Sequence, residues 1–411
     1  MRNSKISAFD FLGRELCDME SIQDMFSNFN HYVKKRGLNS EECEQLLKSN
    51  QIIIMGAGNC GTVLFERLRR AGIAVYAFID NLGSIHGKEY CGVPIYTSKE
   101  LLDRAENVSE CICIVALLDI LSYEQIKAEL IEASHGLLRV YYFTQFRAYD
   151  KVFGIGKKPE FSAYLGEDVT VLYDHRERII SVYNLLADDQ SRKCYLELLN
   201  FYISSDFVGF TVLPFEEHYF AYDLYKKADH EVFVDCGAYN GDTLDIFLKN
   251  QEGLFGRYLA IEADGINYRK IVEKVEKEGV ERIDVLQRYI ADRRKKISFT
   301  GNGTSYSKGE DGLSGEVIET VTIDELAYQY KPTFLKVNIE GADVDAIKGA
   351  KKVISEFAPI VAAQGHHKAE HLWEIVETIH GFNKKDYHFF LRNYGGISEY
   401  TFYAIPENRL I

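Results

Sequence analysis

Two turns in the sequence combine glycines with nearby acidic residues at spacings suited to binding a nucleotide. The first is Gly56-Ala-Gly58-Asn-Cys-Gly61, after the apolar stretch 52–55. The second is Asp235-Cys-Gly237-Ala-Tyr239-Asn-Gly241-Asp242-Thr243, after the apolar stretch 232–234. Because glycine has no Cβ, the backbone at such positions can turn tightly and approach a ligand closely. Both turns are therefore candidate ligand sites.

The first turn has the spacing Gly-x-Gly-x-x-Gly, which places a helix N-terminus on a pyrophosphate when it lies between a strand and a helix. Asp80 ends the next apolar stretch and suits a contact between an acid and a ribose hydroxyl. We predict a nucleotide-sugar or NAD(P) bound by Gly56, Gly58, Gly61 and Asp80. The alternative is that these glycines only allow a helix to pack closely on a strand.

The second turn has the spacing Asp-x-Gly-x-x-x-Gly, which is not a phosphate fingerprint. Asp242, at the predicted start of a helix, would repel a phosphate, whereas S-adenosylmethionine offers an ammonium group and hydroxyls. Glu262 ends the next predicted strand and can accept hydrogen bonds from both ribose hydroxyls. The predicted cofactor-binding residues are Asp235, Gly237, Tyr239, Gly241, Asp242, Thr243, Glu262 and Asp292. Glu262 has the alternative role of capping the following turn. Asp292 has the alternative of lying in a surface turn, and Tyr239 that of simply packing against its neighbours.

Four polar residues follow later predicted strands of the same domain and form the predicted catalytic set: Asn338, Glu340, His366 and His367. The carboxyl ends of parallel strands meet at one edge of a sheet, so these side chains are expected near the second turn. An imidazole can accept a proton near neutrality, whereas an asparagine can orient a hydroxyl without accepting its proton. A purely structural role for the histidines is the alternative. The glycine-rich stretch 300–315 is either a lid or a surface loop.

The composition excludes several classes of protein. With 62 acidic and 48 basic residues, the net charge is −14, and no basic face is evident for binding nucleic acid. The eight cysteines include no Cys-x-x-Cys pair, which favours reduced thiols over disulfides or zinc. No cluster has metal-ligand spacing, so no metal is predicted. No apolar run suggests a signal peptide or a membrane span, and we expect a cytoplasmic protein.

The order of apolar and helical patterns predicts an α/β protein with two Rossmann-like parallel-sheet domains joined by a helical connector. The predicted boundaries are 1–50 for a helical segment, 51–150 for a nucleotide-binding domain, 151–230 for the connector and 231–411 for the second domain. The stretches 387–394 and 400–405 are joined by Gly395-Gly396, which predicts an antiparallel hairpin at the edge of the second sheet.

The C-terminal half resembles the FkbM family of S-adenosylmethionine-dependent methyltransferases. The matching runs are Val234-Asp235-Cys-Gly237-Ala-Tyr-Asn-Gly241-Asp242-Thr243, Val321-Thr-Ile-Asp-Glu-Leu326 and Lys336-Val-Asn338-Ile-Glu340-Gly-Ala-Asp343. Shorter matches are Leu186-Ala-Asp188 to Ser191, Glu217-His-Tyr-Phe220 and His367-Lys-Ala-Glu-His-Leu-Trp373. The resemblance implies a class I methyltransferase fold that uses S-adenosylmethionine. Asn338 stands where the family usually has Asp, so a general base must be Glu340 or a histidine.

The front of the chain, over about 51–120, resembles the nucleotide-binding domain of bacterial sugar acyltransferases. The resemblance is carried by Phe78-Ile-Asp80-Asn81 and by Gly87-Lys88 to Gly92-Val-Pro-Ile95. Together the two resemblances imply O-methylation of a sugar or glycan hydroxyl, with a small-molecule or glycan acceptor as the partner. One alternative is a nucleotide-binding module with an inactive methyltransferase-like domain. A protein that only binds a partner is another.

Overall fold

The computed structural model describes residues 21–34, 38–81, 87–104, 108–117, 120–146, 149, 152, 169–204, 210–300, 308–310, 316–382, 387–396 and 399–411. The chain divides into two compact units. Unit 1 comprises Met1–Arg176, Tyr195–Thr211 and Gly395–Ser398, and unit 2 comprises Glu177–Cys194, Val212–Tyr394 and Glu399–Ile411. Residues 1–20 of the predicted helical segment and most of the glycine-rich stretch 300–315 lie outside the described residues. No helix in the described part of the chain is both long and apolar enough to cross a membrane.

Unit 1 contains a six-stranded sheet preceded by three short helices, α1 (Ile22–Ser27), α2 (Phe29–Lys34) and α3 (Ser40–Ser49). Its elements are then β1 (Gln51–Met55), α4 (Asn59–Arg70), β2 (Val75–Ile79), β3 (Glu89–Tyr90), β4 (Val93–Tyr96), α5 (Ser98–Arg104), β5 (Cys111–Val115), α6 (Ile120–Ala133) and β6 (Arg139–Tyr142). The strand order is β3-β4-β2-β1-β5-β6, and only β3 is antiparallel to its neighbour. β5 is buried along its whole length, as expected for a central strand covered on both faces.

Three helices follow later in the chain: α7 (Thr170–Asp174), α8 (Arg176–Leu185) and α9 (Asp189–Ser204). Asp188 precedes α9 and accepts a hydrogen bond from the backbone N–H of Ser191 at 2.7 Å. The same carboxylate accepts one from Arg392 at 2.7 Å. The Leu-Ala-Asp-x-x-Ser segment therefore both caps a helix and fixes a strand of unit 2.

Unit 2 is built on a seven-stranded sheet. Its elements begin with β7 (Val232–Cys236), α10 (Asp242–Gln251), β8 (Arg257–Glu262), α11 (Gly265–Glu278) and β9 (Ile283–Gln287). They end with β14 (Phe334–Val337), α13 (Asp343–Lys348), α14 (Lys351–Phe357), β15 (Ile360–Gln364), α15 (His371–Phe382), β16 (Tyr387–Asn393) and β17 (Tyr400–Pro406). The order is β16-β17-β15-β14-β7-β8-β9, in which β16 and β17 are antiparallel. The predicted α/β class and the edge hairpin are confirmed.

A buried aromatic cluster holds the middle of this sheet. Phe233 of β7 stacks on Phe334 of β14 with ring centroids 4.6 Å apart, and on Tyr258 of β8 at 5.2 Å. Offset-stacked aromatic pairs contribute beyond the area that they bury. The cluster therefore fixes the position of β7, which leads into the second glycine turn, relative to its neighbours β8 and β14.

A small mixed sheet lies between β9 and β14 in the sequence. Its strands are β10 (Tyr289–Ile290), β11 (Lys296–Thr300), β12 (Lys308–Glu310) and β13 (Glu316–Val321), in the order β10-β13-β11-β12, and α12 (Ile323–Ala327) follows. The sequence analysis did not predict this sheet. Lys-Ile-Ser-Phe-Thr alternates polar and apolar residues, which was a signal for β11. Glu-Val-Ile-Glu-Thr-Val is rich in β-branched residues, which was a signal for β13.

Candidate functional site

The second glycine turn is held open by left-handed backbone and by one acid. Gly237, Tyr239 and Gly241 have φ of 84°, 48° and 78°. Glu262, at the end of β8, accepts hydrogen bonds from the backbone N–H of Tyr239 and of Asp264, each at 2.8 Å. A left-handed conformation costs a non-glycine residue about 1 kcal/mol or more, and persists where the surroundings fix it. Glu262, the residue predicted to bind the ribose hydroxyls, therefore also holds the backbone of the turn in place.

Burial raises the pKa of Glu262 to about 7, although its two backbone donors act in the opposite direction. The ordinary value is 4.5, so an unfolded chain releases this proton at a lower pH than the folded protein does. Stability contributed by the protonated form is therefore present below pH 4.5 and is lost as pH rises towards 7.

We expect the difference in unfolding free energy between Glu262→Gln and the wild type to change with pH. The glutamine side chain does not titrate. The unfolding free energy of the variant should therefore rise by about 3 kcal/mol relative to that of the wild type between pH 4.5 and 7. Urea unfolding of both proteins at several pH values measures this gain. A difference that is constant over the range would show that the Glu262 proton is not retained in the folded state.

Asp235 lies beneath the turn, not on its surface. Its side chain is fully buried, and its two oxygens accept hydrogen bonds from Lys336 Nζ at 2.6 Å and from the Tyr258 hydroxyl at 2.5 Å. Lys336 also donates to the carbonyl of Gly237 at 2.9 Å. Burial lowers the pKa of Lys336, but the Asp235 carboxylate outweighs it and raises the net value. The pair thus joins β7, β8 and β14 to the turn above them.

The remaining predicted cofactor residues lie at the far end of this turn and after β10 of the small sheet. Gly241 precedes α10, and its carbonyl accepts a hydrogen bond from Lys274 at 2.8 Å. Asp242 is exposed at the start of α10 and accepts from the backbone N–H of the buried Thr243 at 2.7 Å. Asp292 follows β10 and pairs with Arg293 at 3.0 Å. The roles of these residues in binding stay predictions.

Asn338 belongs to a buried polar network at the carboxyl ends of β14 and β15. Its Nδ2 donates to the Tyr219 hydroxyl at 3.1 Å, and Gln364 Nε2 donates to the same hydroxyl at 2.6 Å. The His218 ring lies 2.7 Å from Gln364 Nε2. Tyr219 has φ of 66°, another left-handed non-glycine residue at this edge. Among the described residues, Asn338 Oδ1 is buried without a hydrogen-bond partner.

Glu340 and the two predicted histidines lie on the adjoining loops. Glu340 has φ of 54°, and its side chain is 25% exposed. His367 Nδ1 lies 2.8 Å from Asp343 Oδ2, and its Nε2 lies 3.8 Å from Glu340 Oε1. Burial lowers the pKa of His367, but Asp343 and Glu340 outweigh it and raise the value to about 9. His366 is buried 3.2 Å from Gln364 Oε1, and burial holds its pKa well below the ordinary value.

The structure adds five residues that the sequence analysis did not assign to the site: Tyr219, Lys336, Asp343, Gln364 and His371. Lys336 and Asp343 lie within the run Lys336-Val-Asn338-Ile-Glu340-Gly-Ala-Asp343, so that motif was their signal. Tyr219 lies in the Glu-His-Tyr-Phe segment. Nothing in the sequence alone indicated that Tyr219 and Gln364 share a hydrogen bond, because 145 residues separate them.

The first glycine turn, in unit 1, repeats part of this arrangement. Asp80 Oδ2 accepts a hydrogen bond from the backbone N–H of Ala57 at 2.9 Å, as Glu262 does from Tyr239. Gly58 caps α4, and Gly56 has φ of 101°. A Cβ on Gly61 would lie 1.7 Å from the carbonyl oxygen of Gly56, so the turn and helix approach more closely than any other residue would permit.

Comparisons with known proteins bear mainly on unit 2. Residues 235–399 match the family model described as "Methyltransferase FkbM domain". This match covers none of 51–120, so the resemblance of that stretch to sugar acyltransferases gains no support from it. No curated protein matches the chain.

Solved structures show the fold. The methyltransferase FkbM from Methylobacillus flagellatus KT aligns with a TM-score of 0.73 and 20% identity, over 93% of this chain and 100% of that one. A putative rRNA methylase from Clostridium thermocellum aligns over 46% of this chain and 90% of its own, with 10% identity and a TM-score of 0.29. A putative methyltransferase from Streptococcus mutans aligns over 49% of this chain and 100% of its own, with 10% identity and a TM-score of 0.30. The last two likenesses are too weak to bear on this chain. The family match covers residues 235–399, which include the second glycine turn, Glu262 and the polar residues that follow β14 and β15.

Proposed function

We propose that unit 2 binds S-adenosylmethionine at the turn 235–243 and transfers its methyl group to a hydroxyl of a sugar or glycan. The observation that carries the proposal is the contact of Glu262 with the backbone N–H of Tyr239, in a methyltransferase domain. This contact places a carboxylate at the base of a glycine turn, where it can also accept hydrogen bonds from two ribose hydroxyls.

The charges around the turn support a cationic ligand. Burial raises the pKa of Glu399 to about 8, and the carboxylates of Glu340 and Asp242 add to that rise, whereas His367 and Lys336 oppose it. Glu340 and Asp242 therefore disfavour a negative charge on Glu399. A sulfonium and an ammonium group bound among these acids would oppose that effect.

For the transfer itself we assign Glu340 as the proton acceptor and Asn338 as the group that orients the acceptor hydroxyl. Glu340 has the more accessible side chain, whereas His366 and His367 are largely buried. Asn338 Oδ1 is free, among the described residues, to accept a hydrogen bond from a hydroxyl. Methyl transfer from a sulfonium is an in-line displacement, so orientation of the acceptor oxygen and exclusion of water supply most of the acceleration.

The binding half is tested by calorimetry with S-adenosylmethionine on the full chain. Glu262→Ala should remove binding, and Asp80→Ala, the matched acid of the first turn, should leave it unchanged. Circular dichroism confirms that each variant folds. Equal binding by all three proteins would place the ligand elsewhere, and no binding by the wild type would refute the proposal.

The catalytic half is tested by methyl transfer from labelled S-adenosylmethionine to a panel of sugars, nucleotide-sugars and oligosaccharides. Glu340→Gln should lower kcat by 10²-fold or more, the order that a general base contributes, with cofactor binding retained. Glu356→Gln, on α14, is the control and should keep full activity. An unchanged kcat in Glu340→Gln would exclude this assignment.

Asn338 and the first turn favour a second candidate, a nucleotide-binding module whose methyltransferase domain is inactive. The contact of Asp80 with the Ala57 N–H supports a nucleotide at the first turn. Calorimetry with NAD and UDP-sugars should then detect a ligand that Asp80→Ala removes and Glu262→Ala does not. Methylated product from any member of the acceptor panel would reject this candidate.

A further inference from the structure

Three buried side chains in unit 2 bring metal-binding atoms together beside the predicted catalytic loop. They are Asp343 at the start of α13, His367 after β15 and His371 at the start of α15. One donor atom from each lies within 4.8 Å of the others. The sequence analysis predicted no metal, although His367-Lys-Ala-Glu-His371 has two histidines four residues apart.

His371 carries the strongest evidence, because its present surroundings do not satisfy its ring. One nitrogen donates to the backbone carbonyl of Gln364, so the ring is oriented by that bond. The other, Nδ1, is buried with no hydrogen-bond partner among the described residues and lies 3.9 Å from Asp343 Oδ2. A lone pair that faces a carboxylate across such a gap is unfavourable unless a cation lies between them.

His367 faces the same carboxylate from another side. Its Nδ1 lies 2.8 Å from Asp343 Oδ2, with the proton of a hydrogen bond between them. Two atoms that bind one tetrahedral zinc ion at about 2.1 Å lie about 3.4 Å apart, so the observed 2.8 and 3.9 Å bracket the required separation. A metal would replace the shared proton after a movement of about half an ångström.

The group behind one of the two imidazoles matches those around histidine ligands. A metal-bound histidine usually donates its second ring N–H to a carboxylate or a backbone carbonyl, which fixes the ring. His371 has the Gln364 carbonyl in this position. His367 Nε2 lies 3.8 Å from Glu340 Oε1, beyond hydrogen-bond distance, and has no partner among the described residues. The backbone N–H groups of Ile339 and Gly341 donate to Asp343 at 3.1 and 2.9 Å and hold its carboxylate.

We propose that Asp343, His367 and His371 bind one divalent transition-metal ion, of the zinc type. Two imidazoles and one carboxylate are the donors that zinc and similar ions prefer, and three protein ligands leave a fourth position open. Hard ions such as Mg²⁺ prefer oxygen ligands, so they should bind much more weakly. The ion would join the loop that bears Glu340 to the ends of β15 and α15. This inference does not depend on the proposed methyl transfer.

Cobalt is the probe for the test, because Co²⁺ in a nitrogen and oxygen site of low symmetry absorbs visible light. The full chain, stripped with a chelator, should bind one equivalent of Co²⁺ with a visible band that Zn²⁺ displaces and Mg²⁺ does not. His371→Gln should weaken binding at least tenfold. His380→Gln, on the same helix, controls for the chain's other histidines and should leave the titration unchanged.

The competing outcome is a plain buried ion pair between Asp343 and His367. Identical Co²⁺ titrations of the wild type and His371→Gln would establish it and overturn the proposal. Should His371→Gln fail to fold, X-ray absorption on the zinc-loaded wild type decides the question. Scattering from two imidazoles supports the site, and its absence excludes it.

Discussion

Gly237→Ala should be among the most destabilising single substitutions in unit 2. A Cβ at this position would lie 1.8 Å from the carbonyl oxygen of Asn338 and 2.9 Å from its carbonyl carbon. Both atoms are backbone, so β7 and β14 must separate at their carboxyl ends. That movement would also strain the hydrogen bond from Asn338 N–H to the Cys236 carbonyl, now 3.0 Å long. We expect a loss of unfolding free energy above about 4 kcal/mol, in the range reserved for severe disruption.

Gly253→Ala is the matched control. Gly253 has φ of 81°, close to the 84° of Gly237, but no atom lies within 4 Å of its added Cβ. Gly253→Ala should lower the unfolding free energy by only about 1–2 kcal/mol, the cost of an alanine in the left-handed conformation. Urea unfolding of the two variants separates the clash from the backbone strain. Equal losses of unfolding free energy in the two variants would mean that β7 and β14 move apart at little cost. The close contact of Gly237 with Asn338 would then not limit stability.

Lys336→Met should be the second severe change. The Lys336 and Asp235 side chains are 2% and 0% exposed, with 2.6 Å between Nζ and Oδ1. Removing the lysine leaves the aspartate buried with only the Tyr258 hydroxyl as a donor. Breaking a buried ion pair from one side typically costs about 3–5 kcal/mol, because an uncompensated charge stays in the interior. Chemical denaturation measures the loss.

Lys274→Met controls for the loss of a lysine at the same turn. Lys274 pairs with Asp245 at 2.5 Å, but the two side chains are 25% and 57% exposed, so water compensates the remaining charge. Lys274→Met should lower the unfolding free energy by no more than about 1 kcal/mol. Asp235→Leu combined with Lys336→Met should recover much of the stability lost in Lys336→Met, since no buried charge is left. Failure of the double variant to recover would mean that packing, and not charge, dominates here.

Local patterns in the sequence were sufficient for much of the fold. The apolar stretches that became β1, β5, β7 and β15 are buried on both faces, so they appear as continuous apolar runs that are recognisable without a partner. The Gly395-Gly396 turn between two such runs predicted the hairpin of β16 and β17. The sheet of β10 to β13 was not predicted, because β10 and β12 have only two and three residues and the four strands pair with one another.

The sequence by itself also indicated which polar residues lie near the carboxyl ends of strands at one edge: Asp235, Glu262, Asn338, Glu340 and His367. Strand order and chain direction suffice for that inference, since the carboxyl ends of parallel strands meet. What only the tertiary structure decided is which partner each of these side chains has. Asp235 is satisfied internally by Lys336 and Tyr258, whereas Glu262 contacts the turn itself.

The physical reason is that burial and hydrogen-bond partners depend on residues far apart in the chain. Lys336 lies 101 residues from Asp235, and Gln364 lies 145 from Tyr219. A sequence pattern specifies the type of each group and the element that carries it. The protein interior then decides its environment, and with it whether a carboxylate binds a lysine, a backbone N–H or, as we propose for Asp343, a metal ion.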